Sequence, residues 1–289
     1  MAEGPLVAID GRFVAPDEAT VSVFDRGFLY GDSVFEAART YGGRLFRLDV
    51  HMQRLARSLE IVGIASPLST EALQAEVTSL AEQALAQFRA ADPTCELAVR
   101  FMVSRGSGPL GLKPVAGLTP RRVLFLSVYT PPPAELYANG IRVACIATFR
   151  PSDAAPGAKV GNYLESMLAL QRASAVGADE ALIVDGGGAV LEGTTSNVFL
   201  VVRDRIVTPM VDRILAGVTR RTVLEIASAA GLEIVESRIT PSDLYAADEV
   251  FITSTLRGVM PVSRVDDHPI SLGPRTRDLA ARFDAFTRA

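Results

Sequence analysis

Pro131-Pro132-Pro133 is the feature that most limits how this chain can fold. Three successive prolines lack backbone N–H donors and hold an extended path, so neither a strand ladder nor a helix interior can run through them. The chain is therefore expected to divide into residues 1–129 and 139–289, joined by a linker over 130–138. Both parts read as mixed α/β, and 289 residues suffice for two ordinary domains.

In the first part, Leu6–Ile9 and Val21–Phe24 are short strand candidates. Ser33–Thr40 and Leu45–Leu48 flank Tyr41-Gly42-Gly43-Arg44, a hairpin signal. Asp49 is a candidate cap for a helix with Met52, Leu55, Leu59 and Val62 on one face and Gly63 as its stop. A second helix is predicted over Thr70–Arg89, with strands at Leu97–Ser104 and Val123–Tyr129. Beyond the prolines, strand Arg142–Thr148 precedes a Pro/Gly/Ala loop, Pro151–Ala158, and a helix from about Asn162 to Val176. Strands Glu180–Asp185 and Val198–Val202, a helix Thr219–Ala230, strand Glu249–Thr253 and a helix near Pro274–Phe286 complete the pattern.

A hydrophobic fraction of 48% with 21% charged residues is that of a soluble globular chain. The net charge of −4 is dispersed, and the densest basic runs are the doublets Arg121-Arg122 and Arg220-Arg221, which argues against a nucleic-acid surface. No apolar run approaches a membrane span, and the first residues show no signal-peptide pattern. Cys95 and Cys145 lack C-x-x-C spacing and are expected as free thiols in a reducing cytoplasm. With His51 and His268 as the only histidines, a histidine-rich metal site or a serine–histidine triad has little support.

Several residues of the second part could hold a phosphorylated aromatic aldehyde. Lys159 lies in a Gly/Ala-rich loop just before a helix, where a partly desolvated amine could form a Schiff base. Glu192 could keep a pyridine nitrogen protonated, so that the ring accepts electrons from a carbanion. Leu215-Ala216-Gly217-Val218-Thr219 opens a helix whose first amides form an anion site, and Thr253-Ser254-Thr255 offers further amides and hydroxyls. Arg54 could add countercharge. Taken singly, each has a plainer reading: a surface lysine, a strand-end glutamate, a helix cap, turn formers and a solvated arginine. Gly186–Gly188 reads as a hairpin turn, because no G-x-G-x-x-G leads into a helix there.

Six ordered blocks change the weighting. They run Asp25-Arg26-Gly27-Phe28-Leu29-Tyr30-Gly31-Asp32-Ser33-Val34-Phe35-Glu36, His51-Met52-Gln53-Arg54-Leu55, and Lys159-x-x-Asn162-Tyr163-Leu164. Then come Glu192-Gly193-Thr194-Thr195-Ser196-Asn197-Val198-Phe199, Gly217-Val218-Thr219-Arg220, and Phe251–Thr255 through Met260-Pro261-Val262. Across most of its length the chain resembles the class IV, fold-type IV, pyridoxal-5′-phosphate (PLP) aminotransferases. That group includes branched-chain and D-amino-acid aminotransferases and aminodeoxychorismate lyase. The resemblance implies a smaller N-terminal α/β domain, a larger C-terminal domain, the cofactor at their interface, and a homodimer. It makes Lys159 the imine-forming lysine and Glu192 the ring-nitrogen partner, with Asn197 of the same motif among the cofactor-binding residues. Arg54, Val218, Thr219, Ser254 and Thr255 would hold phosphate, Tyr163 the phenolic oxygen, and Leu215 the ring face. A ping-pong exchange between an amino donor and a 2-oxo acid such as 2-oxoglutarate follows.

Substrate signals conflict. Tyr30, Phe35, Arg39 and Arg100 match positions lining the branched-chain pocket, joined by Thr255 and Leu256, but Ala98 stands where a tyrosine is usual. Val103-Ser104-Arg105-Gly106 resembles a run of the lyases and D-amino-acid enzymes, and Arg257 keeps the lyase in view. Branched-chain or similarly apolar L-amino acids are favoured. The alternatives are aminodeoxychorismate lyase, a D-amino-acid or (R)-amine aminotransferase, and a PLP-binding protein without turnover.

Overall fold

Leu97, Val99, Phe101 and Val103 are buried while the residues between them are more open, the period-two pattern of a strand packed on one face. In the computed structural model, which describes residues 4–113, 115–148, 155 and 157–288, this strand lies inside a six-stranded sheet. Two compact units are present, one of Met1–Thr130 with Ala158–Asn162, the other of Pro131–Gly157 with Tyr163–Ala289.

The first unit contains β1 (Leu6–Ile9), β2 (Arg12–Val14), α1 (Arg26–Tyr30), β3 (Ser33–Tyr41), β4 (Arg44–Leu45), α2 (Leu48–Val62), α3 (Thr70–Arg89), β5 (Leu97–Ser104) and β6 (Arg121–Val128). Its sheet is antiparallel in the order β2-β1-β6-β5-β3-β4. Met52, Leu55 and Leu59 of α2 and Val77, Leu80 and Ala84 of α3 form one core with Leu97, Val99, Phe101, Leu124 and Leu126. The opposite face of β3 presents Phe35, Ala37, Arg39 and Tyr41, because successive side chains alternate.

Three local expectations are corrected. Val21–Phe24 forms no strand; Val21, Val23 and Phe24 are exposed, with no sheet to pack on. The strand expected over Leu45–Leu48 stops at Leu45, because Leu48 already begins α2. Asp49 sits inside the first turn of α2, after Arg47 at φ 47°, where its charge complements the helix dipole without capping. Gly63, at φ 65°, ends α2 as expected.

Ala158–Asn162 joins the first unit by pairing with β3. Val160 bridges Val34, Phe35 N donates to Lys159 O at 3.0 Å, and Gly161 N donates to Ser33 O at 2.8 Å. Lys159 N donates to Ser58 Oγ on α2 at 3.0 Å.

The second unit holds α4 (Ala134–Asn139), β7 (Ile141–Ala147), α5 (Leu164–Ala175), β8 (Glu180–Val184), β9 (Val190–Gly193), β10 (Asn197–Val202) and β11 (Arg205–Thr208). These are followed by α6 (Val218–Ala229), β12 (Ile234–Glu236), α7 (Pro241–Tyr245), β13 (Glu249–Ser254), β14 (Gly258–Val265), β15 (His268–Pro269) and α8 (Pro274–Arg288). The prolines lead directly into α4, whose N-cap is Pro133. The sheet runs β12-β11-β10-β13-β14-β7-β8-β9, with β15 on β14. At its centre Phe199 and Phe251 are cross-strand partners, stacked at 4.8 Å. Strand β14 escapes sequence reading because Pro261 interrupts its apolar run. The proline is tolerated because pairing with β7 begins only at Val262. Most of the Pro151–Ala158 loop lies outside the described residues.

Candidate active site

The groups singled out in the sequence fall into two sets, one in each unit. In the first unit, the three backbone ties to β3 and α2 fix Lys159, which is half-buried with Nζ 4.5 Å from the Phe35 ring centre. Lysine occurs only twice in the chain, and Lys113 is exposed. That scarcity was available in the sequence as an independent pointer to Lys159.

Beneath Lys159, the α2-facing side of β3 buries Glu36. Its two oxygens accept Arg54 Nε and Nη2, each at 2.7 Å, and His51 Nδ1 lies 2.8 Å from Oε2. Arg54 is thus a gripped guanidinium, not the solvated helix residue of its plainer reading. Burial alone would raise the Glu36 pKa, but the charge and hydrogen bonds of Arg54, with those of His51, pull it down to about 2. Burial, with the positive charges of Arg54 and Lys159, holds His51 below its ordinary value despite Glu36. Protonated or neutral, His51 donates its Nδ1–H to the carboxylate, which can only accept. Sequence reading did not assign a role to Glu36 or His51, although both lie inside the quoted motifs.

Of the proposed substrate residues, Phe35 and Arg39 lie on the other face of β3, Arg100 on β5 and Tyr30 at the end of α1. Arg100 is exposed, with its guanidinium 4.2 Å from the Phe35 ring. Arg39 lies over Tyr41 at 4.0 Å and Tyr129 at 3.5 Å. Tyr30 Oη accepts Gly111 N at 2.9 Å, which ties α1 to the 106–112 segment. Arg105, the arginine of the lyase-like run, is committed elsewhere: it makes two bonds to Asp32 and donates to the carbonyls of Val62 and Gly63.

In the second unit, Glu192 and Asn197 stand at the two ends of the β9–β10 turn. Glu192 Oε2 accepts Asn197 Nδ2 at 3.1 Å and Leu215 N at 2.9 Å, and Leu215 O accepts Asn197 Nδ2 at 3.0 Å. Leu215 thus orients the carboxylate through its main chain. Gly217, the N-cap of α6, has no side-chain cap bond, and a Cβ there would come within 2.0 Å of Asn197 Oδ1. The close approach of helix and asparagine requires glycine. Val218 and Thr219 are buried at this helix start. Ser254 ends β13, and Thr255 and Leu256 form its turn into β14. Thr253 Oγ1, directly opposite Asn197 in the sheet, is buried without a hydrogen-bond partner. Tyr163 stands at the N-cap of α5. Among the described residues, no cluster of His, Cys, Asp and Glu could hold a metal ion, and no helix is long and apolar enough to cross a membrane.

The Glu36 cluster has a calculable pH signature. Both shifts are downward, so the unfolded chain binds more protons and stability falls as pH falls. The loss starts below the ordinary histidine value of 6.5 and continues from 4.5 to about 2 as Glu36 protonates. Glu36→Gln removes the buried carboxylate that grips Arg54 and should cost about 3–5 kcal/mol at neutral pH. It should also flatten the pH dependence below 4.5, as read by urea unfolding across pH. An unchanged acid slope would contradict the assignment.

Comparison with known proteins supplies the family. The amino-transferase class IV model matches residues 33–265. A putative branched-chain-amino-acid aminotransferase of Methanocaldococcus jannaschii is 38% identical over 283 residues, covering 96% of this chain and 94% of that one. A D-alanine aminotransferase of Bacillus licheniformis is 34% identical over 271 residues, covering 92% and 90%. The branched-chain aminotransferase of the thermophilic archaeon Thermoproteus uzoniensis, solved with norvaline, superposes with a TM-score of 0.86 at 32% identity, covering 99% and 95%. With its fold and motifs in agreement, the chain belongs to the class IV aminotransferase family, as the sequence blocks predicted.

Proposed function

We propose that the protein is a PLP-dependent aminotransferase for branched-chain or similarly apolar L-amino acids, working in the cytoplasm with a 2-oxo acid such as 2-oxoglutarate as acceptor. One observation carries it: Lys159, one of two lysines in the chain, is held by its own backbone N–H and C=O and by the neighbouring Gly161 N, with its amine over an apolar ring. The residues fit the cofactor. An oriented carboxylate suits a pyridinium nitrogen, and the uncapped start of α6 suits phosphate. The orphan Thr253 hydroxyl beside Ser254 leaves hydrogen-bonding capacity at the same edge.

When bound, PLP supplies an electrophilic carbon and an electron sink for the substrate's α-carbon. Lys159 Nζ would hold it, and the same amine would take the substrate's α-proton as general base and deliver it to the cofactor side as general acid. Glu192, fixed by Asn197 and Leu215, would keep a proton on the ring nitrogen. Thr219, Ser254, Thr255 and the Val218 amide would bind phosphate, with Arg54 adding charge, and Tyr163 would hold the phenolic oxygen. Two half-reactions in sequence follow, one for each substrate.

Phe35 gives the substrate side chain an apolar wall, with Tyr30 and Arg39 around it. The commitment of Arg105 to Asp32 supports this choice over a D-amino-acid carboxylate site built on that arginine. L-leucine should convert the bound aldehyde to the pyridoxamine form, followed by absorbance, faster than D-alanine, D-glutamate or an (R)-amine. A response to D-amino acids alone, or pyruvate release from aminodeoxychorismate alone, would sink the proposal.

A homodimer is part of the same proposal. Val23, Phe24, Phe28, Leu110 and Leu112 are 53–80% exposed on segments joined by the Gly108 N–Phe24 O bond. Such an apolar cluster marks an interaction surface. Light scattering should give twice the chain mass, and Leu112→Asp with Phe28→Asp should halve it; a monomeric wild type would refute the dimer.

A further inference from the structure

Glu180, at the start of β8, is fully buried and belongs to none of the groups assigned above. A buried carboxylate is stable only with hydrogen bonds and a countercharge. Its Oε1 accepts Ala181 N and Thr194 N, both at 3.1 Å, and the Thr194 hydroxyl. Its Oε2 accepts the hydroxyls of Thr195 and Ser196, both at 3.3 Å, and Arg257 Nη1 at 2.7 Å. The first five donors come from β8 and from the turn whose ends carry Glu192 and Asn197. The sixth comes from the turn that follows Ser254.

That second turn is short. Ser254 pairs with Gly258, so Thr255, Leu256 and Arg257 alone close it. It is held at two points: Arg257 O accepts Tyr137 Oη at 2.8 Å, and Arg257 Nη1 reaches Glu180. The Arg257 side chain is 28% exposed, so its ion pair is well shielded from screening.

We infer that Glu180 and Arg257 are a positioning pair, in which one buried carboxylate fixes the Glu192–Asn197 turn and, through Arg257, the Ser254–Leu256 turn. Arg257 is therefore a brace for the phosphate-binding hydroxyls rather than a ligand for a substrate carboxylate. The inference rests on the PLP assignment of Ser254 and Thr255. Because Arg257 acts on the phosphate end, losing it lowers affinity for PLP but not for pyridoxal, which lacks the phosphate.

The test uses full-length protein stripped of cofactor, titrated with PLP and with pyridoxal, and then PLP-saturated for kinetics. Arg257→Met should weaken PLP binding about tenfold while pyridoxal binding and the KM values for L-leucine and 2-oxoglutarate stay within about threefold. Glu180→Gln should weaken PLP binding similarly, and the double variant should be no worse than the poorer single one, because the two residues act as a unit. Should Arg257→Met not fold, Arg257→Lys keeps the charge, loses the fork and should show the same split on a smaller scale. A rise of about tenfold in the 2-oxoglutarate KM with PLP affinity unchanged would make Arg257 a substrate ligand and overturn the proposal. So would unchanged values for all ligands, or additive losses in the double variant. A wild type that binds PLP no better than pyridoxal would overturn the cofactor assignment itself, and the brace with it.

Discussion

The pairing of Ala158–Asn162 with β3 is the constraint on which the chemistry depends. A lysine side chain has four flexible bonds, and its amine is useful only where its backbone is fixed. Here both backbone polar groups of Lys159 are engaged, by Phe35 N and by Ser58 Oγ, while Gly161 N closes on Ser33 O. The same stretch of β3 sends Phe35 towards the amine and Glu36 the opposite way. One strand therefore positions the amine, supplies its apolar neighbour and buries the carboxylate that grips Arg54.

Each unit repeats a physical solution: a buried glutamate gathers donors from separate segments. Glu36 joins His51 and Arg54 of α2 to β3, and Glu180 joins β8, the β9–β10 turn and Arg257. Neither carboxylate is assigned to touch a substrate. Their value lies in geometry, since removing one partner of a buried charged pair leaves the other uncompensated. Rigid neighbours of this kind keep first-contact groups within the small tolerances that catalysis demands.

Local periodicity carried much of the fold. Thr70–Arg89 and Leu97–Ser104 form over the predicted spans because their apolar spacing matches helix and strand periods without competing signals. Elements decided by tertiary partners were harder: Val21–Phe24 has strand composition but nothing to pair with, and β14 contains a proline that only its register makes acceptable. For the site, motif order pointed to Lys159 and Glu192, whereas the roles of Arg105 and Arg257 could not be read from the chain. Arginines that resemble substrate ligands are bound to Asp32 and Glu180, which lie 73 and 77 positions away in sequence.

The central claim is that Lys159 is the covalent anchor of the cofactor. Borohydride reduction of the PLP-loaded protein, followed by digestion and mass spectrometry, reads the anchor directly, because the chain has only two lysines. A phosphopyridoxyl group on the Lys159 peptide is the predicted result. Labelling confined to Lys113, or none on either lysine, would contradict it.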